Sequence, residues 1–229
     1  MSTLLPTIRK TLQALADPER APGMKKYMKS EMDFYGIRAP LRRKPCIQIF
    51  RENEPWDFDK WQAAVLDLWR GAEFREERYT ALELADWKPC HKFHTWETLP
   101  MVEEMIVSGS WWDYCDDLTG PLGNILRAEP KRMKALMLEW STDEHLWKRR
   151  SSILCQLHFK DELDFAFLQQ CIEPNIESKE FFLRKAIGWA LRDYAWTHPQ
   201  IVKDYVDANS DRLSGLSRRE ALKNMHKLL

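Results

Sequence analysis

The sequence is poor in glycine, with 8 among 229 residues, and this scarcity speaks against two broad fold classes. A β-rich fold, or one built around glycine-rich loops, needs more positions that tolerate a positive φ. Leu, Ala, Glu, Lys, Arg and Met are abundant instead, which is the composition of a helical protein. The sequence therefore predicts an all-α fold.

Other absences narrow the function. The sequence contains no GxSxG, Walker A, GxGxxG or HExxH motif, so the reaction classes that use them lose their usual support. No apolar run approaches about 18 residues, and the amino-terminal residues lack the apolar region of a signal peptide. The five cysteines form no CxxC pair, which is typical of a reducing compartment. We expect an intracellular protein without a membrane span, in the cytoplasm.

Net charge is also absent, since 35 basic residues balance 35 acidic ones. The net charge of zero results from oppositely charged segments that cancel. Residues 24–44, 145–160 and 212–227 are mainly basic, whereas residues 101–117 hold five acids and no base. The basic patches are either solvated helix faces or contacts for phosphate groups.

Apolar residues recur with helical spacing along nearly the whole chain, and prolines punctuate the helix ends. The spacing predicts helices over residues 4–17, 20–31, 39–52, 57–71, 74–87, 97–108, 111–127, 130–140, 144–158, 162–174, 179–196, 199–209 and 217–228. Short connections make consecutive helices antiparallel neighbours. No Gly/Ser linker divides the chain, so we predict one continuous domain over residues 1–229, either a bundle or a solenoid of degenerate repeats of about 40 residues.

Residues 110–117, which read SWWDYCDD, combine adjacent tryptophans with three carboxylates and no base. A core stripe in this helix runs from Trp111 through Cys115 to Leu118, Leu122 and Ile125. Trp112 and Asp116 lie four residues apart, about 100° around from that stripe. An aromatic plane beside an anionic acceptor suits a flat, cationic ligand.

A second unusual place is Trp189, which lies about 200° from the core residue Ile187, among Lys185 and Arg192. Either this indole offers an aromatic surface to a ligand that carries phosphates, or it packs against the next repeat. The segment's core stripe is Leu183, Ile187, Ala190, Leu191 and Tyr194.

A third is Arg150, which falls on the core line of Trp147, Leu154 and Leu157. Because a buried guanidinium needs a partner, Arg150 either pairs with an acid such as Asp116 or Asp113, or grips an anionic group of a substrate.

Histidines and cysteines give weaker signals. Cys90, His91 and His94 are three potential zinc ligands, but no second cluster with finger-like spacing exists, so we predict no metal and no cofactor. His158, on an apolar helix, is expected to be an interior imidazole.

The chain resembles the AlkD-type DNA alkylation-repair glycosylases over most of its length. The resemblance rests on residues 22–29 (PGMKKYMK), 36–43 (GIRAPLRR), 110–116 (SWWDYCD), 147–157 (WKRRSSILCQL) and, most specifically, 178–192 (SKEFFLRKAIGWALR). It implies a curved, right-handed-type solenoid of degenerate HEAT-like antiparallel helix pairs.

By this resemblance, Asp116 is the catalytic carboxylate, and Trp112 and Trp189 are aromatic walls. Arg150 contacts the lesion or its flanking phosphate, and Tyr27 and Arg38 lie close to the DNA. The family form carries glutamine where this chain has Arg38. Together with the basic patches, the resemblance predicts DNA-binding residues as follows: Arg150, Tyr27, Arg38, Arg43, Lys185 and Arg192.

The resemblance implies hydrolysis of the N-glycosidic bond of cationic alkylated purines in duplex DNA, with base excision repair as the setting. It implies action from the backbone side, without full base flipping, and tolerance of bulky adducts. One rival is a catalytically silent binder of distorted or branched DNA, and another is a peptide-binding helical scaffold. Retention on heparin or duplex DNA, reversed by moderate salt, distinguishes the scaffold. With no spare apolar stripe, we expect a monomer.

Overall fold

The computed structural model describes residues 4–228, and helices dominate it. Fourteen α-helices are formed in this part of the chain: α1 (Leu4–Ala14), α2 (Ala21–Met28), α3 (Ala39–Glu52), α4 (Phe58–Arg70), α5 (Arg75–Ala85), α6 (Leu99–Gly109), α7 (Trp112–Asp117), α8 (Thr119–Ala128), α9 (Pro130–Ser141), α10 (Leu146–Leu154), α11 (Phe165–Ile172), α12 (Phe181–Ala195), α13 (Pro199–Ala208) and α14 (Gly215–Ala221). The only β-structure among residues 4–228 is an isolated bridge between Asp33 and Phe74. The all-α prediction is confirmed.

The single helix predicted over 111–127 is wrong, because the structure divides it at Leu118 into α7 and α8. Pro121 supplies the reason. Proline has no N–H to donate to the carbonyl four residues earlier, that of Asp117, and its ring crowds that carbonyl. The hydroxyl of Thr119 instead donates to the carbonyl of Asp116 at 2.7 Å.

The carboxy-terminal boundary also differs from the predicted 217–228. Helix α14 begins at Gly215, because the hydroxyl oxygen of Ser214 accepts the N–H of Ser217 at 3.0 Å and caps the helix. It ends at Ala221, and a short 3-10 turn follows at residues 225–227.

The chain divides into two compact units, Met1–His94 and Thr95–Leu229. In the first unit, the indole N–H of Trp61 near the start of α4 donates to the carbonyl of Leu84 near the end of α5, at 2.9 Å. These two helices are therefore antiparallel neighbours, as the short connection predicts. That the whole chain forms one continuous domain stays a prediction.

Side chains in the first unit contact partners about one repeat further along the chain. Glu76 accepts the backbone N–H of Tyr35, Gly36 and Ile37, at 2.9–3.0 Å across 39–41 positions. Gly36 has a φ of 86°, and a Cβ there would lie 2.1 Å from the carbonyl oxygen of Asp17. Only glycine fits, and the turn it forms leads into Arg38, the residue before α3.

In the second unit, hydrogen-bonded partners are separated by slightly fewer residues along the chain. Hydrogen bonds join Asp116 to Arg150 across 34 residues, and His158 to Asp193 and Glu177 to Arg212 across 35. This regular spacing is the tertiary counterpart of the degenerate repeat, and it approaches the predicted length of about 40 residues. His158 is exposed with a φ of 67°, so its prediction as an interior imidazole on a helix is wrong.

The predicted core stripes are largely confirmed. On α7 and α8, Cys115, Leu118, Leu122 and Ile125 are buried, as are all five stripe residues of α12. Within residues 4–228, none of the helices is long and apolar enough to cross a membrane.

Candidate active site

The site begins where α6 ends and α7 starts. Ser110 adopts the left-handed conformation (φ 44°) and stops α6, and the extended Trp111 precedes α7. This sharp change of direction makes Trp112 the first residue of α7. Trp112 is partly exposed, and Asp116 lies one turn further along the same face.

Trp111 has a structural role. Its ring centroid lies 6.0 Å from that of Trp147 and 5.6 Å from that of Phe182, and these two rings are 4.9 Å apart. The three rings connect α7, α10 and α12, and each such pair contributes about 0.5–1.5 kcal/mol beyond the area it buries. This cluster holds the elements that carry Trp112, Arg150 and Trp189.

Arg150 is 3% exposed and grips Asp116 with a bidentate pair of hydrogen bonds. Its Nε donates to Oδ1 and its Nη2 to Oδ2, both at 2.9 Å, while Nη1 donates to the carbonyl of Phe182 at 2.7 Å. The ion pair with Asp116, one of the two interpretations that the sequence leaves open, is formed, and contact of Arg150 with an anionic substrate group stays a prediction. The guanidinium fork fixes the plane of the carboxylate.

The side chain of Asp116 is 13% exposed. Burial raises the pKa of Asp116 to about 6, although the charge and hydrogen bonds of Arg150 act in the opposite direction. The carboxylate is therefore ionised at neutral pH and becomes protonated in mildly acidic solution. Because each oxygen of an ionised carboxylate has two lone pairs, Asp116 can accept from Arg150 and still face a cation.

Trp189 is partly exposed on α12, off the buried stripe of that helix. The neighbouring Gly188 is closely packed, because a Cβ there would lie 2.5 Å from the Cβ of Glu220 and 2.9 Å from the carbonyl oxygen of Ser217. Gly188 allows α12 and α14 to approach closely.

Lys185 and Arg192, predicted to bind DNA, both pair with Glu220 of α14. The Nζ of Lys185 lies 2.9 Å from that carboxylate, and the side chain of Arg192 is only 22% exposed. Their two positive charges are thus partly neutralised within the protein. Sequence inspection missed Glu220, because a partner 28 to 35 residues away has no local signal.

The remaining predicted DNA-binding residues lie in the first unit. Tyr27, on α2, is 74% exposed. Arg38 is exposed just before α3, and no ion pair of Arg38 is seen in the part of the chain that the structure describes. The side chain of Arg43 is 57% exposed, but its Nε lies 2.6 Å from the carboxylate of Glu83.

Arg42 differs from its basic neighbours. It is 4% exposed, and its Nη1 lies 2.8 Å from the other carboxylate oxygen of Glu83. Arg42 therefore joins α3 to α5 and is not part of the basic surface suggested by the cluster at 24–44.

A family model described as "DNA alkylation repair enzyme" matches residues 8–225. The chain belongs to this family. The AlkD-type resemblance seen in the sequence is thereby confirmed, and with it an association with the repair of alkylated DNA. No curated protein matches significantly.

Solved structures agree with this family. One described as a "Predicted DNA alkylation repair enzyme from Enterococcus faecalis" is 28% identical, with a TM-score of 0.82, and covers 91% of this chain and 95% of its own. AlkD2 from Streptococcus mutans is 14% identical, with a TM-score of 0.61 and 99% coverage of both chains. Smu.31 from Streptococcus mutans UA159 is also 14% identical, with a TM-score of 0.60, and covers 96% and 98%. The last two share the fold.

Proposed function

We propose that this protein is a DNA glycosylase that hydrolyses the N-glycosidic bond of cationic alkylated purines, N3-alkyladenine and N7-alkylguanine, in duplex DNA. The observation that carries the proposal is the carboxylate of Asp116, nearly buried, ionised at neutral pH and held by the fork of Arg150 one turn from a partly exposed tryptophan. Such a carboxylate keeps lone pairs that Arg150 does not use, which supports a role toward a cationic substrate in addition to the ion pair.

The chemistry needs one carboxylate. Alkylation at N3 or N7 makes the purine a cation, so the base leaves without protonation by a general acid. When the N-glycosidic bond breaks, its electron pair neutralises the departing base, and positive charge develops on the sugar. Asp116 stabilises this oxocarbenium character and orients the water that adds to the sugar carbon, and one water proton is released.

The two partly exposed tryptophans have the matching role of aromatic walls. The faces of Trp112 and Trp189 carry negative quadrupole density, which attracts a cationic purine and the developing sugar cation. Phenylalanine would offer a weaker surface. Arg150 acts in this scheme as a positioning residue for Asp116, since three of its N–H donors are already engaged.

The proposed mode of recognition leaves the lesion largely stacked, which differs from glycosylases that extrude the base into a deep pocket. Excision from the backbone side would tolerate bulky cationic adducts. An enzyme that released small N3-methyl lesions but none of the bulky adducts tested would contradict this mode, without contradicting the glycosylase activity itself.

The deciding experiment is single-turnover release of 7-methylguanine from a duplex by the wild type and by Asp116→Asn. We expect release by the wild type and a loss of about 100- to 1,000-fold in the variant, with DNA binding retained. The matched control is Asp117→Asn, which removes the same charge from an exposed neighbour on α7 and should leave the rate unchanged.

Equal rates in all three proteins would exclude Asp116 from catalysis. Tight binding without release by the wild type, on both 7-methylguanine and N3-methyladenine substrates, would favour the catalytically silent DNA binder instead.

A further inference from the structure

Three side chains at the end of α5 converge in a way that the proposed glycosylase activity does not use. Asp86 directly follows α5, and His91 and His94 belong to the 3-10 turn at Lys88–Phe93 and its first following residue. One potential ligand atom from each residue lies within 4.8 Å of the others. The two imidazole rings have centroids 4.8 Å apart, at an interplanar angle of 30°.

Backbone carbonyls orient both rings. The Nε2 of His94 lies 2.8 Å from the carbonyl oxygen of Ala85, and that of His91 lies 2.9 Å from the carbonyl oxygen of Asp86. In His94, donation from Nε2 leaves the lone pair on Nδ1, whereas the Nε2 of His91 faces both the backbone carbonyl and the carboxylate Oδ1 of Asp86. Histidines that bind metal ions are commonly oriented by such a hydrogen bond from the second nitrogen.

One carboxylate oxygen of Asp86 is buried against His91. This Oδ1 lies 3.0 Å from the Nε2 of His91, a contact that becomes an ion pair when the imidazole is protonated. Burial of a carboxylate oxygen is unfavourable unless a proton donor, a positive charge or a metal ion faces it. A metal ion in place of the proton between Oδ1 and the Nε2 of His91 would face the carboxylate in the same way.

The cluster of Asp86, His91 and His94 is buried on the side of His94 and accessible to solvent on the side of Asp86 and His91. His94 is 3% exposed, and its ring centroid lies 5.9 Å from that of the fully buried Trp61. The side chains of Asp86 and His91 are 40% and 38% exposed. An ion can therefore approach from the solvent and bind against a rigid wall.

We propose that Asp86, His91 and His94 form a binding site for Zn²⁺, with a water molecule completing the coordination. Two imidazole nitrogens and one carboxylate oxygen are ligands that zinc prefers, and Zn²⁺ accepts three protein ligands with an open position. Bound zinc would link the end of α5 to the following turn. The proposal replaces the sequence-based expectation of no metal, which considered Cys90, His91 and His94 but not Asp86.

The test uses the full chain without an affinity tag, stripped with a chelator and then titrated with ZnCl₂ against a chromophoric competitor. We expect one Zn²⁺ bound per chain by the wild type. His91→Ala and Asp86→Asn should each weaken zinc binding at least about tenfold. His158→Ala is the matched control, because His158 is also an exposed histidine, 3.1 Å from the Asp193 carboxylate, but lies outside the cluster.

Thermal unfolding gives an independent readout, because a ligand that binds only the folded state raises Tm. ZnCl₂ should raise the Tm of the wild type and of His158→Ala, and it should not raise that of His91→Ala or Asp86→Asn. Circular dichroism verifies that each variant is folded. Failure of the wild type to bind stoichiometric zinc would overturn the proposal, as would equal zinc affinity in His91→Ala, Asp86→Asn and the control.

Discussion

At the residue scale, the pairing of Asp116 with Arg150 determines the chemistry that this site can support. A buried guanidinium and a buried carboxylate each lose hydration, and only good geometry offsets that loss. The bidentate contact and the third bond to the carbonyl of Phe182 provide this geometry. The pair keeps an anion in a poorly hydrated position, where its field acts strongly on a nearby cation.

The pKa of Asp116 makes the proposed reaction dependent on pH. The ionised carboxylate is the active form, and its pKa is raised to about 6. The rate of base release should therefore be constant above neutral pH and fall as the pH drops below about 6, approaching tenfold per pH unit. Single-turnover rates, corrected for spontaneous base loss, measure this profile. The residual rate of Asp116→Asn should lack the acidic limb, and a flat wild-type profile down to about pH 5 would contradict the assignment.

The variant Arg150→Lys distinguishes two roles of Arg150, namely positioning of the Asp116 carboxylate and contact with a DNA phosphate. Lysine keeps the charge but loses the planar fork, so the carboxylate of Asp116 is no longer held in one plane. We expect base release to fall about 10- to 100-fold, because small misplacements of a catalytic group are costly. Affinity for undamaged DNA and its salt dependence should stay unchanged, as in the control Arg149→Lys, which makes the same change at the neighbouring, partly exposed residue of α10. Weaker binding to undamaged DNA would instead indicate contact between Arg150 and phosphate.

At the element scale, α12 depends on its close approach to α14. Trp189, Lys185 and Arg192 all lie on α12, and the salt bridges of the two basic residues to Glu220 hold this helix in place. Gly188 allows the contact, because any side chain at that position would meet the backbone and Cβ atoms of α14. The orientation of the Trp189 indole therefore depends on a packing interface as well as on its own helix.

Gly188→Ala should destabilise this interface. Its Cβ would lie 2.9 Å from the carbonyl oxygen of Ser217, and overpacking of this kind costs about 1–3 kcal/mol. A lower urea midpoint with an unchanged m-value is the expected measurement. Gly23→Ala on α2 is the control, because nothing lies within 4 Å of its added Cβ, and helix propensity should make it neutral or stabilising by up to about 1 kcal/mol. Equal midpoints for Gly188→Ala and the wild type would refute the packing argument.

At the scale of the whole molecule, the net charge of zero includes basic residues in several kinds of environment, two of which differ most in the charge they present. Arg42, Lys185 and Arg192 pair with buried or half-buried acids and serve the fold. Lys26, Arg38 and Lys44 are exposed, and no ion pair of theirs is seen among residues 4–228. Only the second kind offers full positive charges to a polyanion.

Removal of these exposed charges should weaken DNA binding regardless of damage. For Lys26→Ala, Arg38→Ala and Lys44→Ala, we expect lower affinity for damaged and undamaged duplexes alike. The slope of log affinity against log salt should decrease by about 0.9 for each lost phosphate contact. Fluorescence anisotropy over a salt series measures both quantities. Lys203→Ala is the control, since Asp207 already pairs with that charge, and a loss confined to damaged DNA would contradict a general phosphate contact.

The helical class, the core stripes and the positions that break them follow from local patterns in the sequence. Periodicity places Trp112, Asp116 and Trp189 off the core and Arg150 on it, because a helix turns by a constant angle per residue. The structure confirms these placements. The family motifs, being contiguous in sequence, could also be read from it.

Which residues meet between distant parts of the chain depends instead on how the helices pack. In the folded protein, Arg150 pairs with Asp116 rather than Asp113. Lys185 and Arg192 pair with Glu220, and Arg42 is buried against Glu83. Asp86 lies close to His91 and His94. Most of these partners are separated by 28 to 41 residues along the chain. Local periodicity cannot select among acids at such a distance, because the choice depends on how successive helices pack and on which charges that packing buries.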